Sequence, residues 1–230
     1  MLWVKLCAMT NVGDAVAAAE AGADAIGMIF APSKRRITVD QAKEIVKALP
    51  GSMEKVGVFY DETADAIEEI ASSVGLTAVQ LHGDETPDFA RNLFCSNGRR
   101  AKIRVFKTIH MSEEGSPAGT EEFLRDGVVD GLLLDTVVHD TASGRTERGG
   151  TGQTFDWKQA AESLASVKRG TRVIVAGGLT SENVADAIEQ LQPWGVDVCS
   201  GVEREVGKKD PAKMRAFVAA AKAARNQECS

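Results

Sequence analysis

RVIVAGGLTSENVADAIEQLQPWGVDVCSGVE (172–203) shows the repeating unit of this chain in its clearest form. It opens on a short β-branched run, RVIVAG (172–177), and closes on a second, GVDVCS (195–200). Between them lies TSENVADAIEQL, a helical stretch that Thr180 can cap and whose Glu182 and Asn183 suit a first turn near the positive end of the helix dipole. Two strands joined through a helix run parallel, because a tight turn cannot connect them. The Val and Ile content of both runs suits strands covered on both faces. Each run ends on glycine, at Gly177-Gly178 and at Ser200-Gly201.

The same alternation extends towards the N-terminus. Further apolar runs are LWVKLCA (2–8), ADAIGMIF (23–30), KVGVFY (55–60), TAVQLH (77–82), KIRVFKTI (102–109) and DGLLLD (130–135). Helical stretches fill the gaps. Val39, Ala42, Ile45, Val46 and Leu49 share one face and Pro50-Gly51 ends it; Ala64, Ile67, Ile70, Ala71 and Val74 share another and Gly75 supplies its C-cap. A last helix is predicted from about Pro211 to Arg225. Eight such units in 230 residues predict an α/β fold, a single (β/α)8 TIM barrel spanning 1–230. A doubly wound open sheet is the alternative, but no GxGxxG opens the first helix. No Pro/Gly-rich linker divides the chain, and the long irregular stretches are 110–119 and 136–156.

Composition narrows the partners. Hydrophobic residues make up 43% and charged residues 26%, as in a soluble globular protein. A net charge of −6 argues against a nucleic-acid or anionic-membrane binder, which needs a basic field. No run is long enough to span a bilayer, and Lys5 and Asp14 interrupt any signal-peptide core. Cys7, Cys95, Cys199 and Cys229 are scattered without a CxxC pair, which suits a reducing cytoplasm. His82, His110 and His139 are not at ligand spacing, so no metal is expected.

Barrels of this kind place their chemistry at the C-terminal strand ends. Here those ends read Cys7, Ala31, Asp61, His82, Lys107 or Thr108, Asp135, Gly177-Gly178 and Ser200-Gly201. Either glycine pair alone reads as an ordinary turn. Together, on the seventh and eighth strands, they point to a phosphate site built from backbone N–H groups, with 202–206 as a candidate short helix. The partner implied is a small phosphorylated molecule.

Nearly the whole chain resembles the phosphoribosylanthranilate isomerases. VKLCAMTN (4–11), AGADAIGMIFAPS (21–33), VGVFYDE (56–62), VQLHGDE (79–85), LLLDT (132–136), GGTGQTFDW (149–157), AGGLTSENV (176–184), VDVCSGVE (196–203) and GKKDPAKMRAF (207–217) carry the likeness, in the family's order. AGGL is shared by several phosphosugar barrels, whereas GGTGQTFDW and VQLHG are specific. The resemblance implies an Amadori rearrangement in tryptophan biosynthesis, a cytoplasmic enzyme without cofactor, and a monomer or homodimer. It implies that Cys7 is the general base and Asp135 the general acid, the latter needing a carboxyl pKa raised by its apolar surroundings.

The alternative for Cys7 is a buried core thiol, and for Asp135 a capping aspartate. Lys5, two residues before Cys7, points to the same side of the strand and is expected, with the bound substrate, to help depress the thiol's pKa. Arg35 in SKRRI (33–37) matches the family's arginine and suits the anthranilate carboxylate, while Lys34 and Arg36 read as solvated loop. His82 and Asp197 match positions that shape the pocket or hold sugar hydroxyls; His82 reads equally well as a structural histidine. Asp61, where many members carry asparagine, has no assigned role.

Two departures stand out. Ala8 replaces the glycine that usually follows the cysteine, which should crowd the backbone. The loop 136–148 is longer and more polar than usual and is expected to be mobile without ligand. Rival phosphosugar barrels fit less well. Indoleglycerol phosphate synthase would want an early catalytic lysine in another context, and ribulose phosphate epimerase would want metal-binding histidines at strand tips. A catalytically dead scaffold would have lost the acid or the base.

Overall fold

The β-branched runs form the parallel strands that their alternation with helices predicts. The computed structural model describes residues 2–96, 99–100, 102–111, 120–123, 125, 128–140, 145–148 and 171–227. Its barrel strands are β1 (Trp3–Leu6), β2 (Ala25–Ile29), β3 (Glu54–Phe59), β4 (Ala78–Leu81), β5 (Arg104–Met111), β6 (Gly131–Asp140), β7 (Val173–Val175) and β8 (Gly195–Val198). Each pairs in parallel with the next, and β8 pairs back onto β1, so the sheet closes. Around it lie α1 (Val12–Glu20), α2 (Val39–Lys47), α3 (Ala64–Val74), α4 (Pro87–Asn92), α5 (Thr120–Phe123), α6 (Val184–Leu191) and α7 (Pro211–Gln227).

Local chemistry explains where these helices begin and end. Thr38 and Gln41 form a reciprocal capping box at the start of α2, and Thr63 caps α3. Gly75 closes α3 at φ 78°, a left-handed backbone for which glycine carries no Cβ penalty. One start differs from the sequence reading. The hydroxyl of Thr180 accepts from Glu182 N, while residues 181–183 form a turn and α6 begins only at Val184. Thr180 therefore closes a local turn ahead of the helix.

Alternation along each strand separates two cores. Val4, Leu6, Ile26, Met28, Val79 and Leu81 face outward into the apolar layer under the helices. Trp3, Ala25, Val56, Ala78, Phe106, Leu133 and Ile174 fill the lower barrel interior. Trp3 plugs that end, with ring centroids 5.1 Å from Trp194 and 5.8 Å from Phe106. One step towards the C-terminal ends, the interior becomes polar, with Lys5, Gln80, Thr108, Asp135 and Asp197 all buried. This polar layer lies at the end where barrels of this kind bind their ligands.

Two expectations about the loops are corrected. β6 does not stop at Asp135: it continues to Asp140 and pairs antiparallel with 145–148, from Val137↔Arg148 to Asp140↔Arg145. Three β-branched residues in a row past Asp135, Thr136, Val137 and Val138, suit a strand where a plain loop was expected. The short helix expected over 202–206 is instead a 3-10 turn at Ser200–Val202, followed by a ribbon of Glu203–Glu205 against Lys208–Lys209. GGTGQTFDW (149–157) lies outside the described residues.

Candidate active site

Residues expected at the site converge on one cavity of about 590 Å³ at the C-terminal ends of the strands. Cys7, Arg35, His82, Asp135, Gly177, Gly178, Asp197 and Ser200 all line it. Gly201 does not. A Cβ there would sit 2.0 Å from the Leu179 carbonyl oxygen, so its bare backbone serves the contact between the β7 and β8 loops. Gly177 and Gly178 have φ of 81° and 62°, backbone that L side chains rarely adopt. Asn183 fixes their loop, donating to Gly178 O at 3.0 Å and accepting from Thr180 N at 2.8 Å.

Cys7 follows the last residue of β1, one inward step above Lys5. The Lys5 ammonium is fully buried and donates to Asp197 Oδ2 at 2.8 Å and Gln80 Oε1 at 3.0 Å. Burial works to lower its pKa, but Asp197 and then Cys7 raise it above the ordinary lysine value, so it stays charged. Burial pushes the Cys7 thiol up, and Lys5 pulls it only part of the way back. Lys5 thus acts in the expected direction, yet the net shift is upward: desolvation of a thiolate outweighs one nearby ammonium already shared with Asp197.

The thiol also needs space, and Gly27 provides it. A Cβ on Gly27 would lie 2.5 Å from Cys7 Sγ and 3.1 Å from both Cys7 Cα and Lys5 Cε. Sequence reasoning gave Gly27 no role, although a lone glycine inside a strand signals close approach. Ala8, next to the thiol, has φ 63° and is completely buried. This explains the crowding expected there, since a left-handed backbone favours glycine.

The opposite wall is a hydrogen-bonded histidine layer. Gln80 Nε2 donates to Thr108 Oγ1 at 3.0 Å, and His82 Nδ1 lies 3.1 Å from the same hydroxyl. His110 packs edge-on against His82 and sits 3.0 Å from its carbonyl oxygen. Asp61, at φ 48°, accepts from Asp84 N at 2.6 Å, and Glu85 accepts from Asp61 N and Gly83 N. Asp61 therefore ties the β3 and β4 loops together. Its left-handed backbone is one that aspartate and asparagine tolerate better than most residues.

Arg35 carries a partner that the sequence did not announce. Its Nε and Nη2 each lie 2.8 Å from a different oxygen of Glu203. Burial alone would raise the Glu203 carboxyl, but the bonds from Arg35 and the charge of Lys209 hold it below the usual carboxylate range. Burial also pushes the Cys199 thiol up to about 12 against the pull of Lys209. Cys7, Cys95 and Cys199 are free thiols. Among the described residues no helix is long and apolar enough to cross a membrane.

Known proteins match this chain over nearly its full length. The family model described as "PRAI: N-(5'phosphoribosyl)anthranilate (PRA) isomerase" matches residues 4–220. The chain belongs to this family. An N-(5'-phosphoribosyl)anthranilate isomerase of Pelobacter propionicus is 40% identical over 228 residues, covering 99% of each chain. One from Rubrobacter xylanophilus is 42% identical over 224 residues, covering 96% of this chain and 100% of its own. Among solved structures, phosphoribosyl anthranilate isomerase of Thermotoga maritima superposes with a TM-score of 0.81 at 37% identity, covering 97% of this chain and 100% of its own. Another phosphoribosyl anthranilate isomerase, solved with reduced 1-(o-carboxyphenylamino)-1-deoxyribulose 5-phosphate, superposes with a TM-score of 0.78 at 36% identity over the same shares. The likeness to this isomerase family therefore extends through fold, length and sequence together.

Proposed function

We propose that the chain isomerises N-(5'-phosphoribosyl)anthranilate to 1-(o-carboxyphenylamino)-1-deoxyribulose 5-phosphate, a step of tryptophan biosynthesis, in the cytoplasm and as a monomer or homodimer. The observation that carries the reading is the meeting of a thiol and a carboxyl, Cys7 and Asp135, in one cavity that also holds Arg35 and the glycine-rich ends of β7 and β8. Asp135 as general acid protonates the ring oxygen of the ribose as its bond to the anomeric carbon breaks, leaving an iminium ion. Cys7 as general base then takes the proton from the adjacent sugar carbon. The electron pair of that C–H bond forms the enolamine, which tautomerises to the ketone. The chemistry is internal proton transfer, and its electrons balance without a redox partner.

Burial of Cys7 fits this order of events. A raised pKa makes the thiolate scarce but strongly basic, and the iminium charge favours it when it is needed. The remaining walls match the substrate's other groups. The β7 and β8 loops offer backbone N–H groups to the phosphate. Arg35 faces the anthranilate carboxylate. Asp197 Oδ1 is a buried carboxylate oxygen with no hydrogen-bond partner among the described residues, and it accepts a sugar hydroxyl, with His82 shaping the wall beside it. The test is to mix the protein with freshly made phosphoribosylanthranilate and follow its anthranilate-type fluorescence. Enzyme-dependent loss beyond spontaneous hydrolysis supports the reading, and loss at the spontaneous rate alone overturns it.

A further inference from the structure

Arg35 does not face the cavity as a loose side chain. Glu203 grips its guanidinium side-on through Nε and Nη2, both at 2.8 Å. Glu203 is itself held by Lys209 Nζ at 3.1 Å and Gly207 N at 3.2 Å, and its side chain is 5% exposed. Lys209 is wholly buried. Its Nζ also donates to Cys199 O at 2.9 Å, just ahead of the Ser200–Val202 turn, and its backbone N donates to Asp14 Oδ2 at 2.9 Å on α1. One chain of contacts therefore connects the β2 loop, the β8 loop and the first helix through Glu203.

A guanidinium has five N–H groups in a fixed plane. The side-on grip uses two and leaves three, including both on Nη1. The free end-on edge, Nη1 with Nη2, still matches the two oxygens of a second carboxylate. Glu203 divides its single charge between two cations, so it does not by itself neutralise Arg35. We propose that Glu203 and Lys209 are positioning residues that hold Arg35 ready to take the substrate's aromatic carboxylate end-on, and so set specificity for a carboxylated aromatic amine. This inference rests on Arg35 meeting that carboxylate, as proposed above.

The test compares two substrates, phosphoribosylanthranilate and N-(5-phosphoribosyl)aniline, which lacks the carboxylate. Glu203→Gln keeps the shape of the side chain and frees the guanidinium. For phosphoribosylanthranilate its KM is expected to rise roughly five- to tenfold, the cost of ordering one long side chain on binding, with kcat nearly unchanged. For the aniline, KM and kcat should match those of the unaltered protein. A merely structural role would impair both substrates alike, and that result, or no change with either, would overturn the proposal. Lys209→Gln is the second variant, should Glu203→Gln fail to fold. It leaves the Arg35–Glu203 pair but loosens Glu203, so it should show the same selective rise in KM, smaller in size; kcat is left out of this comparison because the charge of Lys209 also acts on Cys7, and an equal change of KM for both substrates counts against the proposal. Arg35→Gln separates this inference from the reading beneath it. If Arg35→Gln does not distinguish the two substrates, the carboxylate assignment is wrong. If it does and the other variants do not, only the positioning role fails.

Discussion

Lys5 and Asp197 occupy paired positions on β1 and β8, and their ion pair of 2.8 Å lies one inward step below the Cys7 thiol. The ammonium is thereby committed to a carboxylate while still acting on the thiol above. Cys7 feels a positive neighbour whose pull is diluted by Asp197, which is why burial decides the net direction.

This relationship makes the Cys7 titration a readout of Lys5. Lys5 lowers the thiol's pKa, so Lys5→Met should raise it further and shift the alkylation of Cys7 by iodoacetamide to higher pH. Below its pKa, the thiolate fraction of Cys7 rises about tenfold per pH unit, so the rate profile should move as a whole. An unmoved profile would show that Lys5 does not reach the thiol. The same substitution strands Asp197 in the barrel, and breaking a buried pair costs about 3–5 kcal/mol, so the melting temperature should fall as well.

Ala8 holds a left-handed backbone at φ 63°. Relief of that strain, about 1–2 kcal/mol, is offset in part by the extra chain entropy of glycine, about 0.4–1 kcal/mol. Ala8→Gly is therefore expected to stabilise the protein by up to about 1.6 kcal/mol in denaturant unfolding. Loss of stability would mean that the Ala8 methyl packs more favourably than its backbone is strained.

Gly27 leaves the room that Cys7 Sγ occupies. Gly27→Ala forces a shift in the thiol, the β1 backbone or Lys5, and overpacking of this kind costs about 1–3 kcal/mol. Turnover should fall more than stability explains, because the moved atom is the proposed base. Unchanged kcat in a folded Gly27→Ala protein would show that the thiol's position is not limiting.

The Glu203 carboxyl is held below its ordinary value in the fold. A depressed carboxylate contributes stability that is present above its unfolded pKa of about 4.3 and is lost as pH falls through its folded pKa. The difference in unfolding free energy between the unaltered protein and Glu203→Gln should therefore be largest near neutral pH and shrink below about pH 4. A difference independent of pH would place the effect of Glu203 in packing rather than charge.

The barrel is legible in the sequence because burial on both faces writes each strand as an apolar run and each helix as an amphipathic one. Cys7, His82, Asp135, Gly177 and Ser200 are legible because they lie at the ends of those runs, whereas Arg35 and Asp197 are legible through the family resemblance. Other features are set by tertiary contact. Nothing in SKRRI or SGVE says that Arg35 reaches across to Glu203, more than 160 residues away. The net upward pull on Cys7 depends on a desolvation that spacing along β1 does not encode. The sequence past Asp135 reads as a loop because its polar residues hide a pairing of 137–140 with 145–148. Gly27 and Ala8 were visible as residue types, but the contact at one and the backbone angle at the other were not.

The most direct test of the acid–base assignment is turnover by Cys7→Ala and Asp135→Asn, measured beside their affinity for the reduced product analogue. A proton-transfer role predicts that each variant folds, binds the analogue within a few-fold of the unaltered protein, and loses about 10²–10⁴ in kcat or more. A folded Cys7→Ala or Asp135→Asn protein that keeps the original kcat would contradict the account.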